Sequence, residues 1–161
     1  MPDGPRHSPR TRGAADAAGP RRDAPRLATV ADIDGMHRVR LAVRENRLSD
    51  PGRITAADYR AALDALGRGW VVEAEGAIVA FAVGCASGNI WALFVDPAHE
   101  GHGHGRALHA AMVDWLWSLG LRRLWLTTAP GSRAEGFYRR LGWQACGRVG
   151  AELRMELLRD A

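Results

Sequence analysis

Val95, Asp96, Pro97, Ala98, His99, Glu100, Gly101, His102, Gly103, His104, Gly105, Arg106: the reading of this stretch decides the fold class. It leaves an apolar run at Pro97, passes three alternate glycines, and enters an amphipathic helix through Leu108, Met112, Leu116 and Leu119 that stops at Gly120. A further strand is predicted over 123–127. Strand, glycine-rich loop, helix and strand make a crossover unit, so residues 89–95 and 123–127 are expected to be parallel neighbours. The loop also presents bare backbone N–H groups at a helix N-terminus, where their partial positive charge holds an anion. Glycine suits that task because a Cβ would obstruct a phosphate approaching the main chain or forbid a positive φ.

Upstream of the loop, a short strand over 26–29 precedes Asp32, which is expected to cap a helix carrying Ile33, Met36, Val39 and Val43 on one face. After Ser49, Asp50, Pro51 and Gly52 a second helix starts at Thr55. Asp58 three residues on resembles a capping box, Tyr59, Leu63 and Leu66 follow, and Gly67 ends the helix. Residues 70–75 and 77–85 read as strands joined by a hairpin at Glu75 and Gly76, and 89–95 follows the Ser87 and Gly88 turn, which predicts an antiparallel meander. Downstream, Ser132 caps a short helix through Leu141, and 143–148 with 152–157 form a closing pair around Gly150. The fold class is therefore α/β (α+β), with a mixed, mainly antiparallel central sheet flanked by helices.

The 161 residues suit a single domain, expected over 26–161, behind a disordered tail over 1–25 rich in Arg, Pro and Ala. All 22 basic residues are Arg, which excludes a P-loop lysine, a Schiff-base lysine and a lysine nucleophile. Residues 1–26 hold six Arg and three Asp, and the remainder holds 16 Arg against 15 acids, so most of the net charge of +4 sits in the tail. A nucleic-acid-binding face is not expected on the folded part. Cys85 and Cys146 lack metal-ligand spacing and lie in apolar strand-like runs, so both are expected to be buried reduced thiols. No apolar run is long enough to cross a membrane, no secretory apolar core is present, and a cytoplasmic location is expected.

The identity of the anion is narrowed by elimination. A Walker pattern needs Lys, and a dinucleotide fingerprint starting at Gly101 would need Gly where Arg106 stands. The loop and the segment Ala134, Glu135, Gly136, Phe137, Tyr138, Arg139, Arg140, Leu141, Gly142, Trp143, in that order along the chain, resemble the GNAT superfamily of acyl-CoA-dependent N-acyltransferases. The resemblance spans about residues 25–158. Gly103 and Gly105 match the two small residues of the family's signature, whereas Glu100 stands where the family has Arg or Gln.

The resemblance implies acetyl-CoA as co-substrate. It places the pantetheine arm against the backbone of Leu93, Phe94 and Val95, and the pyrophosphate on Gly101, His102, Gly103, His104, Gly105 and Arg106. It also implies that Tyr138 lies near the sulfur and donates a proton or a hydrogen bond to the departing thiolate. A phenol suits that role because it is neutral near pH 7. The alternative is that Tyr138 merely packs beside Phe137.

Two family positions differ: Gly131 replaces an Asn, and Asn89 replaces an acid early in the fourth strand. Glu45, Asp50, Glu73 and a water relay from backbone groups compete for the role of base. Glu45 and Asp50, with Trp91 as a pocket wall, are the candidate acceptor-binding residues, and the two carboxylates would mildly favour a cationic amine. Core packing is the alternative for Trp91, as it is for Trp70 and Trp143.

His99, His102 and His104 do not have zinc-site spacing, so no metal is expected and the imidazoles should line the phosphate entrance. No nucleophile elbow is present, which favours direct attack by the amine over an acyl-enzyme. The expected acceptor is a small-molecule amine or a protein amine, and exposed sheet edges admit a homodimer. Transfer of another acyl group and a non-catalytic acyl-CoA-binding module remain as alternatives.

Overall fold

The computed structural model describes residues 24–43 and 54–160. Residues 1–23 of the expected tail, and Glu45 and Asp50 in the connection after α1, lie outside the described residues. Strands β1 (Arg26–Leu27), β2 (Gly67–Ala74), β3 (Ala77–Cys85) and β4 (Ile90–Val95) form one antiparallel sheet in that order. Strands β5 (Arg123–Thr128), β6 (Gln144–Val149) and β7 (Glu152–Leu158) form a second, ordered β5-β7-β6. Helices α1 (Ile33–Ala42) and α2 (Ala56–Ala61) cover one face of the first sheet. Helix α3 (His104–Ser118) covers the other, and α4 (Arg133–Arg140) precedes the final hairpin. This is the α/β arrangement expected from the sequence.

The two central strands are apolar on both faces because each must fill two cores. On β2, Trp70 and Val72 turn toward α3, while Val71 turns toward α1. Leu108, Met112 and Leu116 of α3, spaced by four, meet Ala80 and Ala82 of β3 and Leu124 and Leu126 of β5 in one core. Ile33, Met36 and Val39 pack with Tyr59, Phe81 and Ala92 in the other.

The sheets meet at a pinch. β4 and β5 touch through a single parallel bridge, Asn89 to Trp125. The Trp125 N–H donates to Gly88 O at 3.0 Å, and Asn89 Nδ2 donates to Trp125 O at 3.3 Å. The expected parallel pairing over 89–95 and 123–127 is thus confined to one point. The reason is a bulge: Val83 faces Ala92 and Gly84 faces Ile90, which leaves Trp91 as an extra residue that bends β4 away.

Other boundaries differ for similarly local reasons. Asp32 stands at the N-cap of α1 as expected but makes no side-chain capping bond there, because a 3-10 turn, Val30–Asp32, opened by Thr29, precedes the helix. Asp32 accepts from the Thr29 N–H and pairs with Arg26, which holds its carboxyl below the usual carboxylate range. The Thr55 and Asp58 capping box forms as expected. The following turns widen into a π-helical segment, Ala62–Leu66, and β2 begins at Gly67, three residues before Trp70. Gly67 extends the strand because a Cβ there would lie 2.0 Å from Gly84 O, so only glycine allows this approach. Cys146 is exposed because β6 is an edge strand with no buried residue; Cys85 is half-buried, and both are free thiols. Among the described residues, no helix is long and apolar enough to cross a membrane.

Trp143 Nε1 donates to His109 Nε2 at 2.9 Å, a buried bond that joins α3 to the residue before β6. His109 is thus part of the core. Burial pushes its pKa from 6.5 down to about 4. Between those values the unfolded chain binds a proton that the folded chain refuses, so stability falls as pH falls through the window. The free energy of unfolding is expected to drop by about 2 kcal/mol from pH 7 to pH 5 on account of this group. Urea titrations at both pH values should show that component absent in His109→Gln.

The pinch itself also yields a test. Gly88 has φ +102°, and a Cβ there would lie 2.9 Å from the Arg123 carbonyl oxygen. Gly88→Ala is expected to lose about 1–3 kcal/mol of stability, measured by thermal or denaturant unfolding.

Candidate active site

Beyond Trp91, the edge of β4 that faces β5 has no strand partner among the described residues, and the space between the two strands is a cleft of about 920 Å³. β4 forms one wall; Leu126, Thr127 and Thr128 of β5 form part of the other. An unpaired strand edge offers alternating N–H and C=O groups, the complement of an amide-bearing chain. Thr128, only 5% exposed, lines this cleft with an Oγ1 that has no hydrogen-bond partner among the described residues. A polar group so placed calls for a ligand or water.

At the far end of β4 the glycine-rich loop lines the same cleft. Gly101 and Gly103 both line the cleft with φ near +80°, and a Cβ at either would meet nothing within 4 Å. The space in front of the backbone is therefore open. Gly103 is the N-cap of α3, whose first N–H groups are presented here. Gly105 also lines the cleft, against Phe137. Of the candidate loop residues, His104 is buried in the wall and Arg106 is an exposed part of it, while His102 is exposed and stands outside the lining.

Glu100, at the position of the family's Arg or Gln, pairs with Arg133 at 2.9 Å. This partly neutralises the carboxylate that would oppose a phosphate. Arg133 and Arg140, seven residues apart on α4, both line the cleft, as do Gly136 and Phe137 between them. The sequence reading missed this arginine pair, although spacings of three, four and seven mark one helical face.

Leu93, Phe94 and Val95 lie along the cleft wall, and so does Trp91. Tyr138 lines the cleft near the end of α4 while only 6% exposed. Its ring packs against Phe137 and Trp143 at centroid distances of 5.2 and 5.4 Å, and burial raises the pKa of its phenol. The packing alternative and the cleft position therefore hold together: the ring is clamped, and the residue borders the cleft.

Trp70 and Trp143 are core residues. Glu73 is exposed, paired with Arg26 and outside the cleft lining, so it is removed from the candidate bases. Asn89, which stands where the family often has an acid, serves the pinch. Among the described residues no group of three or more His, Cys, Asp or Glu is placed to hold a metal ion.

The chain belongs to the acetyltransferase (GNAT) family, whose model matches residues 31–143. It is thus of the acyltransferase class. Comparison with curated proteins gave no sequence match.

Solved structures share the fold. A GCN5-related N-acetyltransferase from Rhodopseudomonas palustris is 19% identical with a TM-score of 0.72, over 85% of this chain and 96% of that one. The ribosomal-protein-S18-alanine N-acetyltransferase of Escherichia coli is 17% identical with a TM-score of 0.69, over 84% and 93%. An N-acetyltransferase from Thermoplasma acidophilum in complex with coenzyme A is 12% identical with a TM-score of 0.67, over 84% and 98%.

The loop geometry gives a direct test. Gly103→Val fills the open space with a side chain and strains a left-handed residue by about 1–3 kcal/mol. Its affinity for coenzyme A, measured by calorimetry on folded protein, is expected to fall by at least about tenfold.

Proposed function

We propose that the protein transfers the acetyl group of acetyl-CoA to the nitrogen of an amine, by direct attack within a complex of both substrates. The observation that carries this reading is the cleft between β4 and β5, with its glycine-lined anion site at one end and Tyr138 on its wall. The acetyl-CoA complex is read as follows: phosphates on the N-terminus of α3, pantetheine amides on the free edge of β4, and thioester near Tyr138. Family membership and a neighbour in complex with coenzyme A support this placement.

In the reaction the neutral amine attacks the thioester carbonyl carbon. A main-chain N–H near Phe94 or Val95 stabilises the oxyanion, the C–S bond breaks as the Tyr138 hydroxyl donates a hydrogen bond to the departing thiolate, the amine releases its proton to water, and the thiolate takes one from water. Burial raises the pKa of the phenol, so it stays protonated and remains a hydrogen-bond donor across the working pH range, while being too weak an acid to give the proton up outright. The acceptor is read as a small-molecule or protein amine, and the site of action as the cytoplasm.

Purified protein incubated with acetyl-CoA and a panel of amines is expected to release free thiol and form acetylated amine. Acetyl-CoA binding without turnover of any amine would instead leave a cofactor-binding module. Tyr138→Phe removes only the hydroxyl and is expected to lower kcat by about 10- to 1,000-fold with acetyl-CoA affinity little changed. An unaltered kcat, with the chemical step rate-limiting, would assign Tyr138 to packing alone.

A further inference from the structure

The side chains of β5 alternate between two faces. Leu124 and Leu126 turn into the core beneath α3, and the next residue on that face is Thr128. Its cross-strand partner on β7, Leu153, belongs to the same core, so the pattern calls for an apolar side chain at this position. Thr128 is instead a buried residue whose Oγ1 is itself buried and has no hydrogen-bond partner among the described residues. A valine has nearly the same shape and would leave no polar atom unpaired, so packing alone does not account for the hydroxyl.

The place of Thr128 in the fold shows what the hydroxyl can serve. It lines the cleft with Leu93 and Val95 of β4 and Tyr138 of α4, all of which pack on the same core. It stands three residues beyond the tie at Trp125, roughly 10 Å along the strand. Three residues from Asn89, with Trp91 counted as the extra one, bring Leu93 to the same level of β4. Thr128 therefore sits between the pinch and the glycine loop, beside the middle of β4 and away from the N-terminus of α3.

An amide-bearing chain laid against β4 bonds that edge with only part of its polar groups, because the N–H and C=O of a trans amide point in opposite directions. The groups turned away from β4 face β5. A threonine hydroxyl both donates and accepts, so it can pair with either kind. Rotation about χ1 exchanges the hydroxyl and methyl positions, which brings the oxygen to a ligand without moving the backbone. We infer that Thr128 is a cofactor-binding residue whose hydroxyl pairs with an amide of the pantetheine arm from the side opposite β4. The inference rests on the acetyl-CoA reading and adds to it a side chain that holds the arm rather than the phosphates.

The test measures binding to the full chain by calorimetry, with coenzyme A and with adenosine 3′,5′-bisphosphate, which carries phosphates but no arm. Thr128→Val is expected to raise the Kd for coenzyme A by about 5- to 100-fold, the loss that follows when a buried amide group is left unpaired, and to leave the Kd for the bisphosphate unchanged. Thr128→Ser keeps the hydroxyl and should stay within about threefold of the native Kd for coenzyme A. Without ligand, Thr128→Val should unfold at a temperature no lower than the native protein, because it removes an unpaired polar atom from the interior.

An unchanged Kd for coenzyme A in Thr128→Val, or an equal loss for both ligands, would overturn the inference. So would a clear fall in Tm or a failure to fold, either of which assigns the hydroxyl to the fold itself. If the bisphosphate binds too weakly to measure, the contrast between Thr128→Val and Thr128→Ser decides. Native protein that shows the expected contrast but acetylates no amine removes the transfer reading and leaves this inference standing; native protein that binds no coenzyme A overturns both.

Discussion

The structure depends on one constraint: β4 and β5 are tied at Asn89 and Trp125 and held apart thereafter. A continuous parallel ladder would satisfy the backbone groups of both strands and leave no room for a ligand. The extra residue at Trp91 breaks the register of β4, and the absence of a Cβ at Gly88 lets the chain approach Arg123 closely enough to form the pinch. The whole cleft follows from that separation. The free strand edge lies within it, α3 starts at its far end, and Tyr138 stands on its border.

Separating two sheets weakens the junction between them, and packing offsets this. Helix α3 presses Leu108, Met112 and Leu116 into a core shared by both sheets, and the buried bond between Trp143 and His109 fastens α3 near the second sheet. The salt bridge between Glu100 and Arg133 joins the cofactor loop to α4 across the mouth of the cleft, but its side chains are 40% and 74% exposed. Such a pair contributes at most about 1 kcal/mol and is more useful for balancing charge than for holding the fold. It leaves Arg106 and Arg140 to set a positive field along the cleft lining.

Much of this organisation was legible in particular residues. The capping box at Thr55 and Asp58, the hairpin at Glu75 and Gly76, the apolar spacing along α3 and the glycine loop all act through local geometry, and each formed as its residues imply. Other features were not legible because they depend on residues distant in sequence. Nothing near Gly67 reveals the close approach of Gly84, nothing near Glu73 reveals Arg26 bound to it, and nothing near Cys146 shows that its strand is an edge.

The site divides in the same way. The sequence alone determined that backbone N–H groups would gather at the start of α3, that no lysine could take part in the chemistry, and that a tyrosine would follow in a short helix near Trp143. Those properties reside in the residue types and their spacing. Only the tertiary structure decided that β4 departs from β5, that Arg133 and Arg140 face the cleft, that Glu73 is spent on Arg26, and that the Thr128 hydroxyl is buried beside the cleft. Each of these turns on which surfaces meet across the fold. Burial and charge pairing are properties of the packed whole, and a local pattern carries no record of them.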